Sequence, residues 1–425
     1  MTPNTPPAKV SHGRLAPPLV ELVAVGGSGD AVAAEGLPER YRQRVLIDVI
    51  HDGEWIPDDF LTDGVGCPIE AGEIEPCYIA ERDWGASLMA EQLTVALGLA
   101  SYCRVNVARV LLDFGRFPGS TPRQANHLER FAINYPFSRR LSYLQKKDLL
   151  ERFYDPISAR FDELLEDILI KVAIHTYDRF NQSGTERPPV SIITRSIGYQ
   201  TASELPVGLY DPLYPDILCE FTCHRILRDR ISLTLEKANI AVEHNYPYCL
   251  PEGSLEVRFQ VWAYFRYLRR AFESRHPETV EAPAYEMVWR MLQDTSLRRM
   301  ESEVLRSYLH MYRRAPCGQD VIFAAAERAY EHISSFMRGQ RPGMVDAYRF
   351  SPSRPSSLVI EVRKDIIHEL DGAGRPLQPK VENVQRVAGK VAEAITTYLH
   401  EDRVHHPAAA DELDRTDPWW MPPRK

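Results

Sequence analysis

The chain has 425 residues, of which 44% are hydrophobic and 26% are charged, a composition typical of a soluble globular protein and not of a disordered or fibrous one. Its 51 basic and 59 acidic side chains give a formal net charge of −8, so the overall charge does not favour binding to nucleic acid or to an anionic membrane surface. No apolar run approaches the roughly 18 residues needed to span a bilayer, and the amino terminus lacks the apolar segment of a secretory signal. We therefore expect a cytoplasmic protein without a nucleic-acid or membrane partner.

Short apolar runs and amphipathic stretches alternate along the chain. The ends show no sustained hydrophobic period, which predicts an amino-terminal extension over 1–41 and a carboxyl-terminal tail over 403–425. Apolar runs rich in β-branched residues predict strands or extended segments at 44–50, 104–113, 171–176, 189–194, 239–243 and 357–362. Amphipathic periodicity predicts helices at 85–99, 155–170, 217–237 and 381–398.

This alternation predicts an α/β fold with a mixed, mostly parallel sheet and helices on both faces. Between 255 and 340 the strands disappear and several consecutive helical patterns follow one another. We interpret that segment as a helical insertion. The α/β domain is then expected to consist of 42–254 and 355–402.

Polar side chains stand at the carboxyl ends of three predicted strands, where ligands of open α/β sheets bind. His51 and Glu54 follow the first strand, His175 closes a later one, and Glu361 lies in the last. Two histidines and one glutamate leave a fourth tetrahedral position for water, which is the pattern of catalytic zinc. The sequence thus predicts one Zn²⁺ per chain, held by His51, Glu54 and His175. The alternative for His51 is an ordinary loop histidine.

Glu361 lies within the apolar strand SSLVIEVR, where an ionised group costs free energy unless something compensates it. One explanation is an ion pair with Arg363 or another arginine. The other is a general base beside the metal, which takes a proton from water and passes it to the departing amine. Residues two apart on a strand face the same side, so Glu361 and Arg363 are predicted to line one pocket, with Arg363 contacting substrate.

Arg116 closes the segment VLLDFGR, another predicted strand end. Its guanidinium can hold a substrate carboxylate through two parallel hydrogen bonds. Asp113 in the same segment is predicted to orient Arg116 or a metal-bound histidine. The alternative for this pair is a surface salt bridge.

Several short motifs occur in an order that we can compare with a known family. They are IHDGEWIP at 50–57, ERDWG at 81–85, LLDFGR at 111–116, FYDPIS at 153–158, AIHT at 173–176, NYPY at 245–248 and IEVR at 360–363. This order resembles the N-formylglutamate amidohydrolases, whose fold is related to that of the zinc carboxypeptidases. The resemblance covers roughly 42–254 and 355–402.

By this resemblance, His51, Glu54 and His175 would hold zinc, Glu361 would be the base and Arg116 would bind a substrate carboxylate. It implies a zinc-dependent hydrolase that cleaves the amide bond of a small N-acyl or N-formyl amino acid. Gly115 and Ser158 replace an asparagine and a histidine of the family pattern, which favours a change in acyl group or amine. The alternatives are a carboxypeptidase-like peptidase, a deacylase of a natural-product intermediate, and a catalytically inactive module that binds a partner through the helical insertion.

Overall fold

In a computed structural model of the chain, a seven-stranded sheet is flanked by helices on both faces. The structure describes residues 16–26, 36–118, 132–196, 210–218, 220–311, 313–340, 343–351, 354–372 and 374–402. The predicted carboxyl-terminal tail over 403–425 lies outside these residues, as does most of the predicted amino-terminal extension.

The strands of the described residues, numbered along the chain, are β1 (Val20–Ala24), β2 (Val45–Val49), β3 (Ser101–Val105), β4 (Ile170–Tyr177), β5 (Val190–Ile193), β6 (Val242–His244), β7 (Ser356–Arg363), β8 (His368–Leu370) and β9 (Pro376–Pro379). Strands β8 and β9 pair with each other in a separate antiparallel ribbon.

The α-helices are α1 (Glu39–Arg42), α2 (Ala71–Glu81), α3 (Ala86–Leu97), α4 (Phe137–Arg140), α5 (Tyr143–Leu149), α6 (Asp155–Leu164), α7 (Arg225–Lys237), α8 (Leu255–Glu273), α9 (Pro283–Gln293), α10 (Met300–Met311), α11 (Asp320–Gln340), α12 (Gly343–Arg349), α13 (Lys364–Ile367) and α14 (Val381–Thr397). Short 3-10 helices cover Asp58–Phe60, Asp216–Leu218 and Pro277–Thr279, and π-helical turns cover Leu150–Tyr154 and Tyr398–Asp402. Among the described helices, none is both long and apolar enough to cross a membrane.

The main sheet has the strand order β1-β3-β2-β4-β7-β5-β6. Neighbours from β3 to β7 run parallel, and β5 pairs parallel with β6. Strand β1 pairs antiparallel with β3, and β5 pairs antiparallel with β7. The predicted α/β class, with a mixed and mostly parallel sheet between two layers of helices, is therefore confirmed.

Each face of the sheet carries its own apolar core. On one face, alternate residues of β4 such as Val172 and Ile174 pack in a cluster with α3, α7 and α14. On the other face, Ala173 packs in a cluster with α8 and the helices that follow it. Since side chains alternate along a strand, His175 shares the face of Ala173. The face covered by α8 is therefore the one on which His175 lies.

A buried ion triad ties α8 to this face of the sheet. Lys171 Nζ lies 2.7 Å from Asp48 Oδ2 and 2.7 Å from Glu256 Oε1, and all three side chains are buried. Buried charges are tolerated only when they are paired and hydrogen-bonded. Because Glu256 lies in the first turn of α8, the triad fixes where this helix begins above the sheet.

Several segments differ from their predicted form. The helix predicted over 155–170 ends at Leu164, before β4 begins at Ile170. The extended segment predicted over 104–113 is a strand only as far as Val105, since the chain beyond it turns and Leu111 N donates to Ala108 O. The helix predicted from 217 begins at Arg225 after a short 3-10 turn. Residues 20–24, assigned to the amino-terminal extension, form the edge strand β1 because they pair with β3.

Gly53 determines how the chain leaves β2 beside the end of β3. Trp55 N donates to Asn106 O over 2.9 Å, and Ala108 N donates to Trp55 O over 2.8 Å, so the two segments run side by side. A Cβ on residue 53 would lie 2.5 Å from the carbonyl oxygen of Val107 and 2.6 Å from Asn106 O. Because these atoms are backbone, only glycine fits at position 53 without displacing the segment at 106–107.

We expect Gly53→Ala to lower the free energy of unfolding by about 1–3 kcal/mol, because the added methyl group displaces backbone in a packed region. Gly389→Ala is the control, since its Cβ would meet nothing within 4 Å in the interior of α14; it should be neutral or stabilise by up to about 1 kcal/mol. Urea denaturation measures both. Equal unfolding midpoints for the two variants would contradict this account.

Candidate metal centre

Three buried side chains converge at the carboxyl edge of the sheet. His51 follows β2, His175 lies in β4, and Asp83 lies in the turn between α2 and α3. Their potential ligand atoms all lie within 4.8 Å of one another. His175 Nδ1 is 2.8 Å from Asp83 Oδ2 and 3.0 Å from His51 Nδ1, and His51 Nδ1 is 3.4 Å from the same Asp83 oxygen.

A network of opposite charges surrounds these three side chains. His51 Nε2 lies 2.7 Å from Asp113 Oδ1, on the side of the ring away from His175. Arg109 joins the two aspartates, with Nη1 2.9 Å from Asp83 Oδ1 and Nε 3.2 Å from Asp113 Oδ2. Each buried carboxylate therefore faces both a histidine and a guanidinium.

This network shifts the proton affinities of its members. Burial raises the pKa of Asp83 and of Asp113, but Arg109 and the adjoining histidines outweigh burial and hold the pKa of both carboxyls well below their usual range. Burial lowers the pKa of His175, but the hydrogen bond to Asp83 and the charges of Asp83 and Glu361 outweigh it and raise that pKa to about 9. These shifts favour the ionised form of both aspartates, and the ionised form is the one in which Asp83 could bind a cation.

Glu361 lies beside His175 because their strands are in register. The two residues are paired across β4 and β7, which are parallel, so their side chains leave the same face. The Tyr248 hydroxyl donates to Glu361 Oε1, whereas Oε2 is buried without a hydrogen-bond partner among the described residues. Burial raises the pKa of Glu361, although the charge of His175 opposes this shift. The carboxyl therefore has one fixed oxygen and one oxygen available to another group.

The predicted residues are only partly brought together. His51, His175 and Asp113 are in contact, and Glu361 is paired with His175 across two strands. Glu54 is not in the group of three potential ligands. Its side chain is 55% exposed, and its Oε1 lies 2.8 Å from Arg82 Nη2. Among the described residues, the structure thus groups Asp83, and not Glu54, with the two histidines.

The two predicted substrate arginines have different surroundings. Arg116 Nε lies 3.1 Å from Asp113 Oδ2, and its side chain is 37% exposed, so it reaches both the site and solvent. The guanidinium of Arg363 is largely occupied within the protein: it forms two hydrogen bonds to Asp365 and one each to Glu186 and the Arg187 carbonyl. Of the two, Arg116 is the one with room for a substrate group.

Sequence reasoning assigned no role to Asp83, Arg109 or Tyr248. Asp83 and Tyr248 both lie in the short motifs ERDWG and NYPY that were compared with a family pattern, so a signal for them was present. Arg109 had no comparable signal. It pairs with Asp113 four residues later and with Asp83 26 residues earlier, and the second contact depends on the tertiary fold.

Comparisons with known proteins give only distant likenesses. No protein-family model and no curated protein matches the chain. One similar solved structure is an N-formylglutamate amidohydrolase from Ralstonia eutropha JMP134, at 14% identity and a TM-score of 0.47, with 89% of this chain and 97% of that chain covered. Another is the gene product Atu2144 from Agrobacterium tumefaciens, at 15% identity and a TM-score of 0.40, with coverage of 84% and 90%. Likenesses of this degree do not identify the activity.

We expect Arg109→Gln to destabilise the protein by about 3 kcal/mol at pH 7, because two buried carboxylates lose their shared cation. Arg104→Gln is the control: Arg104 pairs with Glu21 near the surface at 2.9 Å, and such pairs contribute under about 1 kcal/mol. Urea denaturation of chelator-treated protein measures both losses. Similar losses for the two variants would show that the Arg109 network contributes no more than a surface ion pair.

Proposed function

We propose that this chain is a zinc-dependent hydrolase that cleaves the amide bond of a small N-acyl amino acid, N-formyl derivatives included. The observation that carries the proposal is the convergence of His51, Asp83 and His175 beside the buried carboxyl of Glu361. Ligand atoms and a carboxyl with one unpartnered oxygen thus stand together at the edge of the sheet where substrates of α/β proteins bind.

The three potential ligands fit one divalent ion. Zinc binds histidine nitrogen and carboxylate oxygen at about 2.0–2.2 Å, and tetrahedral ligands at that radius are about 3.3–3.6 Å apart. The corresponding separations here are 2.8, 3.0 and 3.4 Å, so small side-chain rotations would admit an ion. Two histidines and one carboxylate form a catalytic zinc set with one open position. Other divalent ions accept the same ligands, and we propose zinc, one ion per chain.

Asp113 would fix the orientation of a metal-binding histidine. Its carboxylate lies 2.7 Å from His51 Nε2, so with an ion bound this nitrogen would donate to Asp113 and Nδ1 would face the ion. Carboxylates that face the outer nitrogen of a ligating histidine hold its tautomer and increase its basicity. Gly115 leaves room for this pair, since a Cβ there would lie 3.0 Å from His51 Cε1.

Glu361 would move the proton of the reaction. A bound divalent ion supplies Lewis acidity, which polarises a carbonyl group and acidifies water. Tyr248 holds Oε1 of Glu361, so Oε2 is the oxygen that can accept a proton from water. The raised pKa of the buried carboxyl favours keeping that proton until Glu361 transfers it to the departing amine nitrogen.

Arg116 is the group that would select a substrate with a carboxylate. It contacts Asp113 through Nε, and Nη1 lies 3.3 Å from Asn134 Oδ1. Because the side chain is partly exposed, donors remain for a carboxylate, which a guanidinium binds in a planar, bidentate manner. An N-acyl amino acid carries such a group next to its amide. Arg363 has fewer donors to offer, since its contacts to Asp365 and Glu186 engage the side chain.

Elemental analysis should find about one zinc per chain in protein purified with zinc, and none in a His51→Ala, His175→Ala double variant. His310→Ala is the matched control, because His310 also pairs with a buried carboxylate, Asp211, at 3.0 Å, but lies outside the three-residue group. That variant should keep its zinc. Equal zinc content in the double variant would place the ion elsewhere.

Glu361→Gln should keep zinc but lose a factor of about 10²–10⁴ in turnover, since the amide cannot accept the proton. Zinc-loaded enzyme is assayed on N-formyl and N-acetyl amino acids and on dipeptides, with the exposed Glu369→Gln as control. Turnover near that of the wild type would rule out Glu361 as the base. Cleavage of dipeptides alone would favour the peptidase alternative, and no cleavage by the zinc-loaded wild type would contradict the proposed reaction.

A further inference from the structure

We infer that Arg82, held between Asp52 and Glu54, is a positioning residue that sets the Asp83 carboxylate against the two histidines. Glu54 thus acts on the metal centre through Arg82 and is not a ligand. This inference rests on the proposed metal centre, and it assigns Glu54 a role that differs from the predicted one.

The guanidinium of Arg82 is engaged on every nitrogen. Its Nε donates to Asp52 Oδ1 over 2.7 Å, its Nη1 donates to the Tyr78 hydroxyl over 2.7 Å, and its Nη2 lies 2.8 Å from Glu54 Oε1. The guanidinium carbon also lies 4.1 Å from the centroid of the Trp84 ring. With only 11% of the side chain exposed, Arg82 is held in a single place by three hydrogen-bonding partners and one aromatic ring.

These contacts join the two chain segments that carry potential ligands. Asp52 and Glu54 follow His51, whereas Arg82 immediately precedes Asp83. The backbone makes the same connection, because Asp83 N donates to His51 O over 3.1 Å. The ion pairs of Arg82 therefore reinforce the backbone contact between His51 and Asp83.

The other flank of Asp83 is tied to the strand of His175. Thr176, the next residue in β4, donates through Oγ1 to the carbonyl of Trp84 over 3.1 Å. Asp52 Oδ2 also accepts from Ser87 N at the start of α3, so the segment is anchored beyond the turn. The contacts on the two sides of Asp83 therefore connect it to the segment of His51 and to the strand of His175.

The charges explain why a neutral residue at position 82 would not hold this arrangement. Asp52 and Asp83 are both buried, and Glu54 is close enough to share a guanidinium with Asp52. Arg109 binds Asp83, whereas Arg82 binds the other two carboxylates. Without Arg82, buried Asp52 would lose its ion pair, and the segments bearing His51 and Asp83 would separate to hydrate it.

A double-mutant cycle on zinc affinity tests this role. We would measure the zinc Kd by competition with a chromophoric chelator for the wild type, Glu54→Gln, Arg82→Gln and the double variant. Arg82→Gln should weaken zinc binding by about 10–100-fold, the range for groups that orient metal ligands. Glu54→Gln should weaken it less. The double variant should bind zinc no more weakly than Arg82→Gln alone, because the two residues act as one unit.

Glu75→Gln is the matched control. Glu75 is 54% exposed and pairs with Arg375 at 2.9 Å, so it matches Glu54 in exposure and in type of partner, and its Kd should equal that of the wild type. Arg82→Lys serves as a second variant should Arg82→Gln not fold: a lysine keeps the charge but cannot span three partners, and it should also weaken zinc binding.

Two results would overturn the inference. One is a zinc Kd of the Arg82 variants that equals the zinc Kd of the wild type. The other is a loss of zinc affinity from Glu54→Gln that is as large in the Arg82→Gln variant as in the wild type. A direct ligand would give that result. A wild-type protein that binds no zinc would instead overturn the proposed metal centre, so the two failures are distinguishable.

Discussion

The site depends on burying two imidazoles and two aspartates at the edge of a parallel sheet without leaving any charge uncompensated. Arg109 contacts Asp83 and Asp113, and each aspartate contacts a histidine. The same network that removes the penalty of burial keeps both carboxylates ionised, which is the state that a divalent cation requires. The network thus prepares the carboxylates for an ion, whereas an ion must displace the proton that the raised pKa of His175 favours.

The sheet topology supplies the rest of the arrangement. Parallel neighbours bring the carboxyl ends of β2, β4 and β7 to one edge, so His51, His175 and Glu361 meet although they are far apart in sequence. The Lys171 triad lies on the same face as His175 and fixes the start of α8 above it. Helices of the segment predicted as an insertion thus cover the face on which the proposed chemistry takes place.

The sequence was sufficient to predict the α/β class, the positions of β2, β4, β5 and β7, and the placement of His51 and His175 at one edge of the sheet, because hydrophobic periodicity and polar strand ends are local signals. It did not single out Asp83, the third member of the described group of potential ligands, because Asp83 meets the histidines only through the tertiary fold. Arg109 could not be predicted, since its contact with Asp83 exists only in the folded chain. The edge strand β1 was missed because apolar and polar residues do not alternate clearly over its five residues. They form a strand by pairing with β3.

In the proposed metal centre, His51, His175 and Asp83 hold one divalent ion. The most direct measurement is an anomalous difference map, collected at the zinc absorption edge from crystals grown with zinc. Our account predicts one peak per chain, bonded to Nδ1 of His51, Nδ1 of His175 and a carboxylate oxygen of Asp83, with Glu54 paired to Arg82. A peak coordinated by Glu54, or no peak between the two histidines, would contradict it.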